Sequence, residues 1–387
     1  MKNFVFHNPT KILFGRETIP SIGPETAVFG KKALLIYGQG SIKKNGIYDQ
    51  VTKSLTGAGV SIIEHGGVQS NPTLGHVHRG IALARNNWVD VVVAVGGGSV
   101  LDSAKAITAG ALVEHDVWKF FSGKKSIKAA LPLTCVLTLA ASGSEMNSGM
   151  VLTNEETKQK FGFANRHLYP KVSILDPSAT FSVSRDYTVY GAVDAIAHVL
   201  EFYFTHQEKN APVQDHFMEG LIKSIIDSCN RVLQDLQDYD ARADLMWGAT
   251  LALNGLTAAG LGKVGFPMHL IEHSLSALYN VTHGAGLSVV IPGWMIYQAR
   301  QKPEKFARFG EQVFGITEGN TKKIAAEAVQ ALLSWFVRIK TPTSLNALDI
   351  PDENIPAIAA NAVGLAKIWG MKDYTAQKIE EILRLCM

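Results

Sequence analysis

The chain has 387 residues, 47% hydrophobic and 18% charged, with 35 glycines, which describes a globular protein with a large core and excludes disordered and fibrous classes. Its 37 Lys+Arg against 34 Asp+Glu leave a formal net charge of +3 with no basic stripe interleaved with aromatics, so nucleic acid is not an expected partner. Three dispersed cysteines (Cys135, Cys229, Cys386) without CxxC spacing, an N-terminus without a secretory apolar run and no apolar stretch of about 18 residues lead to the expectation of a cytoplasmic chain with no disulfide framework and no membrane partner.

That length accommodates two domains. Residues 3–14 hold Phe4, Phe6, Ile12, Leu13 and Phe14, broken by Asn8-Pro9, which predicts one or two short strands. Residues 33–37 are a short apolar run, the mark of a buried strand, opening directly into Gly38-Gln39-Gly40-Ser41. Ile47, Val51 and Leu55 then share a helical face, and residues 60–64 read as another strand. Asn71-Pro72-Thr73 makes a turn, with Thr73 capping a helix that runs to about Asn87. Residues 89–95, 133–139 and 172–175 are further apolar β runs. Strands alternating with helices predict a parallel or mixed α/β sheet.

After about residue 183 the periodicity turns helical, over 186–205, 210–228, 239–260, 266–278, 303–314, 321–338, 355–366 and 375–385, punctuated by Pro267, Pro292, Pro303, Pro342, Pro351 and Pro356. The expected division is therefore an α/β domain over 1–182 and an all-α domain over 183–387.

Gly96-Gly97-Gly98-Ser99 sits between an apolar strand and a helix. Residues without Cβ let backbone N–H groups approach a pyrophosphate at a helix start, although a tight strand–helix turn would use glycine too. It is neither GxGxxG nor GxxxxGK[ST], so the standard dinucleotide fingerprint and the P-loop are both absent. Gly38-Gln39-Gly40-Ser41 follows the other short strand. An acidic residue there would hold a ribose 2′-OH and repel a 2′-phosphate. Gly, Gln and Ser, with Lys43 and Lys44 behind them, are compatible with NADP. Thr138 and the loop from Ala140 through Ser142 and Ser144 to Glu145 are small and hydroxylated, suited to a carboxamide or phosphate contact but ordinary in a loop as well.

Asp194 and His198 are four residues apart and project from one helical face, as do His269 and His273. Asp194 lies among Ala, Val and Ile, where a carboxylate is costly to bury without a partner. His283-Gly284 follows Asn280-Val281-Thr282, a turn suited to capping a helix. A single DxxxH is commonplace, and a lone core histidine is usually just hydrogen-bonded. Several such groups in one helical domain favour a divalent cation, and carboxylate plus imidazole without thiolate suits Fe(II), Zn, Ni, Co or Mn alike.

Together these segments resemble the iron-containing (group III) alcohol dehydrogenase family, over essentially the whole chain: 96–102 its cofactor loop, 138–145 its nicotinamide-side loop, and Asp194-x3-His198, His269-x3-His273 and His283-Gly284 its metal signature. The resemblance implies a dehydroquinate synthase-like architecture, with an α/β dinucleotide-binding domain, an all-helical metal-binding and catalytic domain, and an active site in the cleft between them. It implies Asp194, His198, His269 and His283 as metal ligands, Fe(II) first, and leaves His273 beside the site as a proton relay or a hydrogen-bond partner. It implies cofactor contacts from Gly38, Gly40, Ser41, Asn71, Gly96, Gly97, Gly98, Ser99, Asp102, Thr138, Ser142, Ser144 and Lys160; Asp102 is also counted with His273 among the catalytic candidates. Ala141 departs from this branch, which often has Thr there. Residues 37–46 are most similar to the NADPH-dependent butanol dehydrogenase and broad aldehyde reductase branch.

The implied reaction is hydride transfer between NADP(H), with NAD as the alternative cofactor, and aldehydes or primary alcohols, in a homodimer formed through the N-terminal strands. A zinc polyol (glycerol-type) dehydrogenase is one rival, but in that group the position four after the Asp is not a ligand histidine, and His198 stands there. A dehydroquinate-synthase-like lyase would need a site rich in Lys and Arg, which 186–284 lacks. A metal- or nucleotide-binding sensor would need an output domain, and none is evident.

Overall fold

Short apolar runs make parallel strands, and six strands form the main sheet of the computed structural model, which describes residues 1–208 and 210–387. In chain order the first half comprises β1 (Lys11–Phe14), α1 (Ile22–Ala27), β2 (Lys32–Tyr37), α2 (Ser41–Lys44), α3 (Ile47–Gly57), β3 (Ser61–His65), α4 (Leu74–Asn86), β4 (Val91–Gly96), α5 (Gly98–Gly110), α6 (Trp118–Phe121), β5 (Leu133–Leu137), β6 (Gly149–Asn154), β7 (Gln159–Ala164) and β8 (Val172–Leu175). The second comprises α7 (Arg185–Thr205), α8 (Pro212–Val232), α9 (Tyr239–Ala252), α10 (Pro267–Tyr279), α11 (His283–Ala299), α12 (Pro303–Phe314), α13 (Thr321–Arg338), α14 (Ile355–Ile368) and α15 (Ala376–Arg384).

The sheet runs β1-β8-β5-β4-β2-β3, every pair parallel. Register sets the functional edge. Tyr37 of β2 lies opposite Val95, and Gly96 of β4 opposite Leu137 of β5, so three neighbouring strands end side by side. β2 leads outward to β3 while β4 leads the other way to β5, so strand order reverses between β2 and β4, the crevice where open α/β sheets take ligands. Ile47, Val51 and Leu55 form the buried face of α3, and Thr73 caps α4 by accepting from the His76 N–H.

Three segments differ from the sequence expectation. Of residues 3–14, only Lys11–Phe14 form a strand, paired with β8; Phe4, Val5 and Phe6 are exposed. β6 and β7 form an antiparallel hairpin that was not anticipated, because its apolar runs, 150–152 and 161–163, are only three residues long and are separated by a polar stretch over 153–160. α11 was also absent from the predicted helices: it is buried continuously from Gly284 to Met295 and carries Pro292 inside, so neither an amphipathic stripe nor an unbroken helical run announces it.

Contacts divide the chain into two units. One consists of His7–Thr188 and Arg231–Gly255, the other of Met1–Phe6, Val189–Asn230 and Leu256–Met387. The linear division at 182 therefore meets units that are interleaved in sequence. α9 joins the sheet unit, where Thr250 on it donates to Glu145 (2.5 Å). All three cysteines are free and buried, and among the described residues no helix is long and apolar enough to cross a membrane.

In the sheet unit His65 stacks on His76, ring centroids 4.0 Å apart, and its Nε2–H donates to the His76 carbonyl at 3.1 Å. Burial first, and the neighbouring His76 ring second, push its pKa down to about 4 from 6.5. Between those values the unfolded chain binds a proton that the folded chain refuses, so the stability contribution is complete above pH 6.5 and declines as pH falls towards 4. His65→Phe keeps a ring on His76 and removes the titration. Melting temperatures followed across that window should fall less steeply for the variant; parallel curves would refute the assignment.

Candidate active site

Asp194, His198 and Glu201 on α7 follow i, i+4, i+7 spacing and share one face, in a stretch whose neighbours from Ala192 to Tyr203 are almost all buried apolar residues. α10 begins at Pro267, whose missing N–H costs nothing at a first helical position, and carries His269, Glu272 and His273 inward. His283 opens α11. The His-Gly pair there has a steric cause. A Cβ on Gly284 would lie 2.2 Å from the Tyr190 carbonyl oxygen of α7, so only glycine lets α11 start this close.

These elements bring four donors to one point. Asp194 Oδ1 lies 3.5 Å from His198 Nδ1, 3.5 Å from His269 Nε2 and 3.5 Å from His283 Nε2. Asp194 Oδ1, His198 Nδ1 and His269 Nε2 are buried with no hydrogen-bond partner among the described residues. Orphaned buried polar atoms are rare, and three aimed at each other require an explanation. Ligand atoms about 2.1 Å from a shared cation in tetrahedral array sit roughly 3.4 Å apart, close to the 3.5 Å between Asp194 Oδ1 and each of the three rings, and Asp194, His198 and His269 offer atoms all within 4.8 Å of one another. His273 lies alongside, its ring 6.3 Å from that of His269 and 5.6 Å from that of His283.

Burial would lower the His269 imidazole, but Asp194 and Glu201 beside it raise it to about 9, a proton that a bound cation would displace. Burial would raise the Asp194 carboxyl, but His198 and His283 beside it hold it well below the ordinary carboxylate range. Burial brings His198 down to about 3, leaving a neutral ring with a free lone pair. The donor set fits a divalent cation: one carboxylate, three imidazoles and no thiolate, in a dry surrounding.

In the sheet unit the glycine loops line the ends of β2, β4 and β5. The 96–98 triplet is demanded by packing. A Cβ on Gly96 would lie 2.5 Å from Val100 Cγ2, one on Gly97 3.1 Å from Leu139 Cβ, and one on Gly98 2.3 Å from Ser142 Oγ. The same loop starts the 13-residue α5 without a side-chain cap, leaving N–H groups facing outward from the strand ends. Gly38 is different: a Cβ there would meet nothing nearer than 3.7 Å, so protein packing does not require glycine. Gly40, at φ +114°, does need it, and Ser41 starts α2. Thr138 ties its loop to the glycine loop, its N–H donating to the Gly96 carbonyl (3.1 Å), and Ser99 donates to Ser70 O (2.5 Å).

Asp102 and Ser144, expected at the cofactor, also belong to a hydrogen-bonded network within the sheet unit. Ser144 Oγ donates to Asp102 Oδ1 (2.7 Å), and the Val151 N–H donates to Oδ2 (3.0 Å). Lys105 Nζ donates to Ser144 Oγ (2.8 Å), Asn147 O (2.9 Å) and Gly149 O (2.7 Å). Asp102 thus spends both carboxylate oxygens pinning the 144–151 segment to α5. Lys160, on β7, donates to Asn71 Oδ1 (3.0 Å), joining two of the expected contacts.

Comparison with known proteins follows the same division. A family profile described as iron-containing alcohol dehydrogenase matches residues 9–177, and one described as Fe-containing alcohol dehydrogenase family, C-terminal, matches 188–387. The chain belongs to the iron-containing alcohol dehydrogenase family. A probable NADH-dependent butanol dehydrogenase 1 of Bacillus subtilis is 40% identical over 99% of both chains. The NADPH-dependent aldehyde reductase YqhD of Escherichia coli is 36% identical over 92% of both. The crystal structure of an NADH-dependent butanol dehydrogenase A from Thermotoga maritima superposes with a TM-score of 0.96 at 46% identity, covering 100% of this chain and 99% of that one. The chain is accordingly an alcohol/aldehyde-type oxidoreductase with the fold of this family, a parallel-sheet N-terminal part and a helical C-terminal part.

Two residues beside the donors escaped the sequence reading. Glu201 Oε1 faces His269 Nδ1 at 3.1 Å, and Glu272 Oε2 accepts from His283 Nδ1. Both are fully buried. The signal was present: Glu201 lies three residues after His198, and Glu272 three after His269, each a charge at helical spacing from a donor in an apolar stretch.

Gly284→Ala should cost about 1–3 kcal/mol, as over-packing against a fixed backbone does. Denaturant unfolding measures it, and a variant as stable as the parent would remove the steric account of the His-Gly pair.

Proposed function

We propose that the chain is a metal-dependent NADP(H) aldehyde reductase and primary-alcohol dehydrogenase, in which Asp194, His198, His269 and His283 hold one divalent cation, Fe(II) ahead of Zn, Ni, Co or Mn. The observation that carries this reading is the set of donors 3.5 Å from Asp194 Oδ1, three of whose atoms are buried and unpartnered. A bound cation supplies Lewis acidity at the substrate oxygen, and the nicotinamide supplies the hydride chemistry. The protein's part is orientation and proton handling. His273, flanking the donors, passes a proton towards the oxygen that becomes the alcohol. Phe266 packs edge-on to His269 (5.9 Å) and Trp369 to His273 (5.6 Å), which supports an apolar organic substrate.

The coenzyme reading rests on Gly38. It follows β2 at the strand-order reversal, has room for a side chain and lacks one, so no carboxylate opposes a 2′-phosphate. Similar proteins carry both names, NADH-dependent in Bacillus subtilis and NADPH-dependent in Escherichia coli, and therefore do not choose. Exposed Phe4, Val5 and Phe6 support a homodimer through the N-terminal segment, and three buried free thiols support a reducing, cytoplasmic location. No nucleic-acid or membrane partner is part of this reading. His198 within the donor set favours it over a polyol dehydrogenase lacking that histidine.

The direct test mixes the protein with NADPH and butanal, with and without a chelator, and follows cofactor absorbance; turnover that survives complete metal removal would overturn the reading. Asp194→Ala and His198→Ala should each lose bound metal and at least ~10²–10³-fold in kcat/KM together. Gly38→Asp should move the NADPH/NADH preference towards NADH by about 100-fold, since like charges brought together cost several kcal/mol. An unmoved ratio would clear Gly38 of any part in selection.

A further inference from the structure

Each of two donor imidazoles shows one nitrogen to Asp194 and the other to a buried glutamate. His269 Nε2 is 3.5 Å from Asp194 Oδ1 while its Nδ1 is 3.1 Å from Glu201 Oε1. His283 Nε2 is 3.5 Å from Asp194 Oδ1 while its Nδ1 donates to Glu272 Oε2. We infer that Glu201 and Glu272 are positioning residues that set cation affinity by fixing both rings as Nδ1–H tautomers and loading them with negative charge. The inference rests on the cation proposed above.

Glu201 Oε1 already accepts from two backbone N–H groups and Glu272 accepts from the Ser276 hydroxyl, so both carboxyl groups act as acceptors and the ring nitrogen facing each carries the proton. In a neutral ring the opposite nitrogen is then a lone pair, here Nε2 aimed at the donor cluster. A carboxylate behind an imidazole also makes that lone pair a stronger base, and such partners are worth 10–100-fold in metal affinity.

Both glutamates are held where this works. Glu201 is 0% exposed, and its Oε1 also accepts from the Met268 N–H (2.8 Å) and the His269 N–H (3.0 Å). These belong to the first turn of α10, where no intrahelical acceptor exists. One oxygen therefore fixes the helix start and the ring it carries. Glu272, also 0% exposed, takes the Ser276 hydroxyl on Oε1, and a Cβ on Gly286 would lie 2.8 Å from its Cγ, so α11 fences it in. With Asp194 they place three carboxyl groups around the donors in an apolar interior.

Glutamine separates positioning from mere packing. Glu201→Gln and Glu272→Gln keep an acceptor oxygen and the side-chain shape and remove the charge. Full-length protein stripped with chelator is titrated calorimetrically with Zn2+, and its metal-free melting temperature is read alongside. The expected result is one Zn2+ per wild-type chain, a Kd raised about 10–100-fold in each variant, and metal-free melting within a few degrees of wild type. Unchanged Zn2+ affinity in both variants overturns the inference and leaves the proposed function standing; wild-type protein that takes up no Zn2+ overturns both. Histidine 15N shifts of the Zn2+-loaded wild type supply an arm that needs no variant: Nε2 coordination with Nδ1–H on His269 and His283 supports the inference, and Nδ1 coordination on either ring overturns it.

Discussion

The helical part of this chain is organised by the burial of one carboxylate. Asp194 sits in an apolar stretch of α7, where His198 is the one group of its own helix set against it. A lone ionised carboxylate in such a place is too costly to keep. The helices around it answer with imidazoles: His198 from the same helix, His269 from α10 and His283 from the first residue of α11, each 3.5 Å from the same oxygen. Much of the local structure follows. Gly284 is glycine because α11 must begin against the α7 backbone, and α10 starts at Pro267 with its free N–H groups turned onto Glu201.

The sheet part obeys a different constraint, the common ending of parallel strands. β2, β4 and β5 stop in register, and their loops flank the strand-order reversal. The loops are then fitted to each other. The 96–98 glycines make room for Leu139, Ser142 and Val100, and the Asp102–Ser144–Lys105 network anchors the following segment from beneath. The sheet edge is thus stiffened by buried polar contacts, while Gly38 remains a glycine that packing does not ask for.

How much could be read in advance differs between these two parts. Along α7 and α10 the spacing of Asp194, His198, His269 and His273 is a local property, and local spacing survives into the fold. The central strands β2 and β4 announced themselves as apolar runs because both of their faces are covered. The β6–β7 hairpin, which carries Lys160, has apolar runs too short to do so, and α11 is too uniformly apolar to show a stripe and contains Pro292. Asp102 shows what a motif leaves open: the motif names the residue, and the structure adds that both its oxygens accept hydrogen bonds from the 144–151 segment.

The sequence by itself determined the fold class, the family and which residue types could serve as donors, since composition, periodicity and motif spacing are carried by neighbours along the chain. Only the tertiary structure decided that four donors from three helices converge on one oxygen, that Glu201 and Glu272 stand behind two of them, and that α9 packs with the sheet from more than fifty residues away. Those outcomes depend on how helices cross and which side chains meet across long separations in sequence. That is settled by close packing of the whole interior and not by any local pattern.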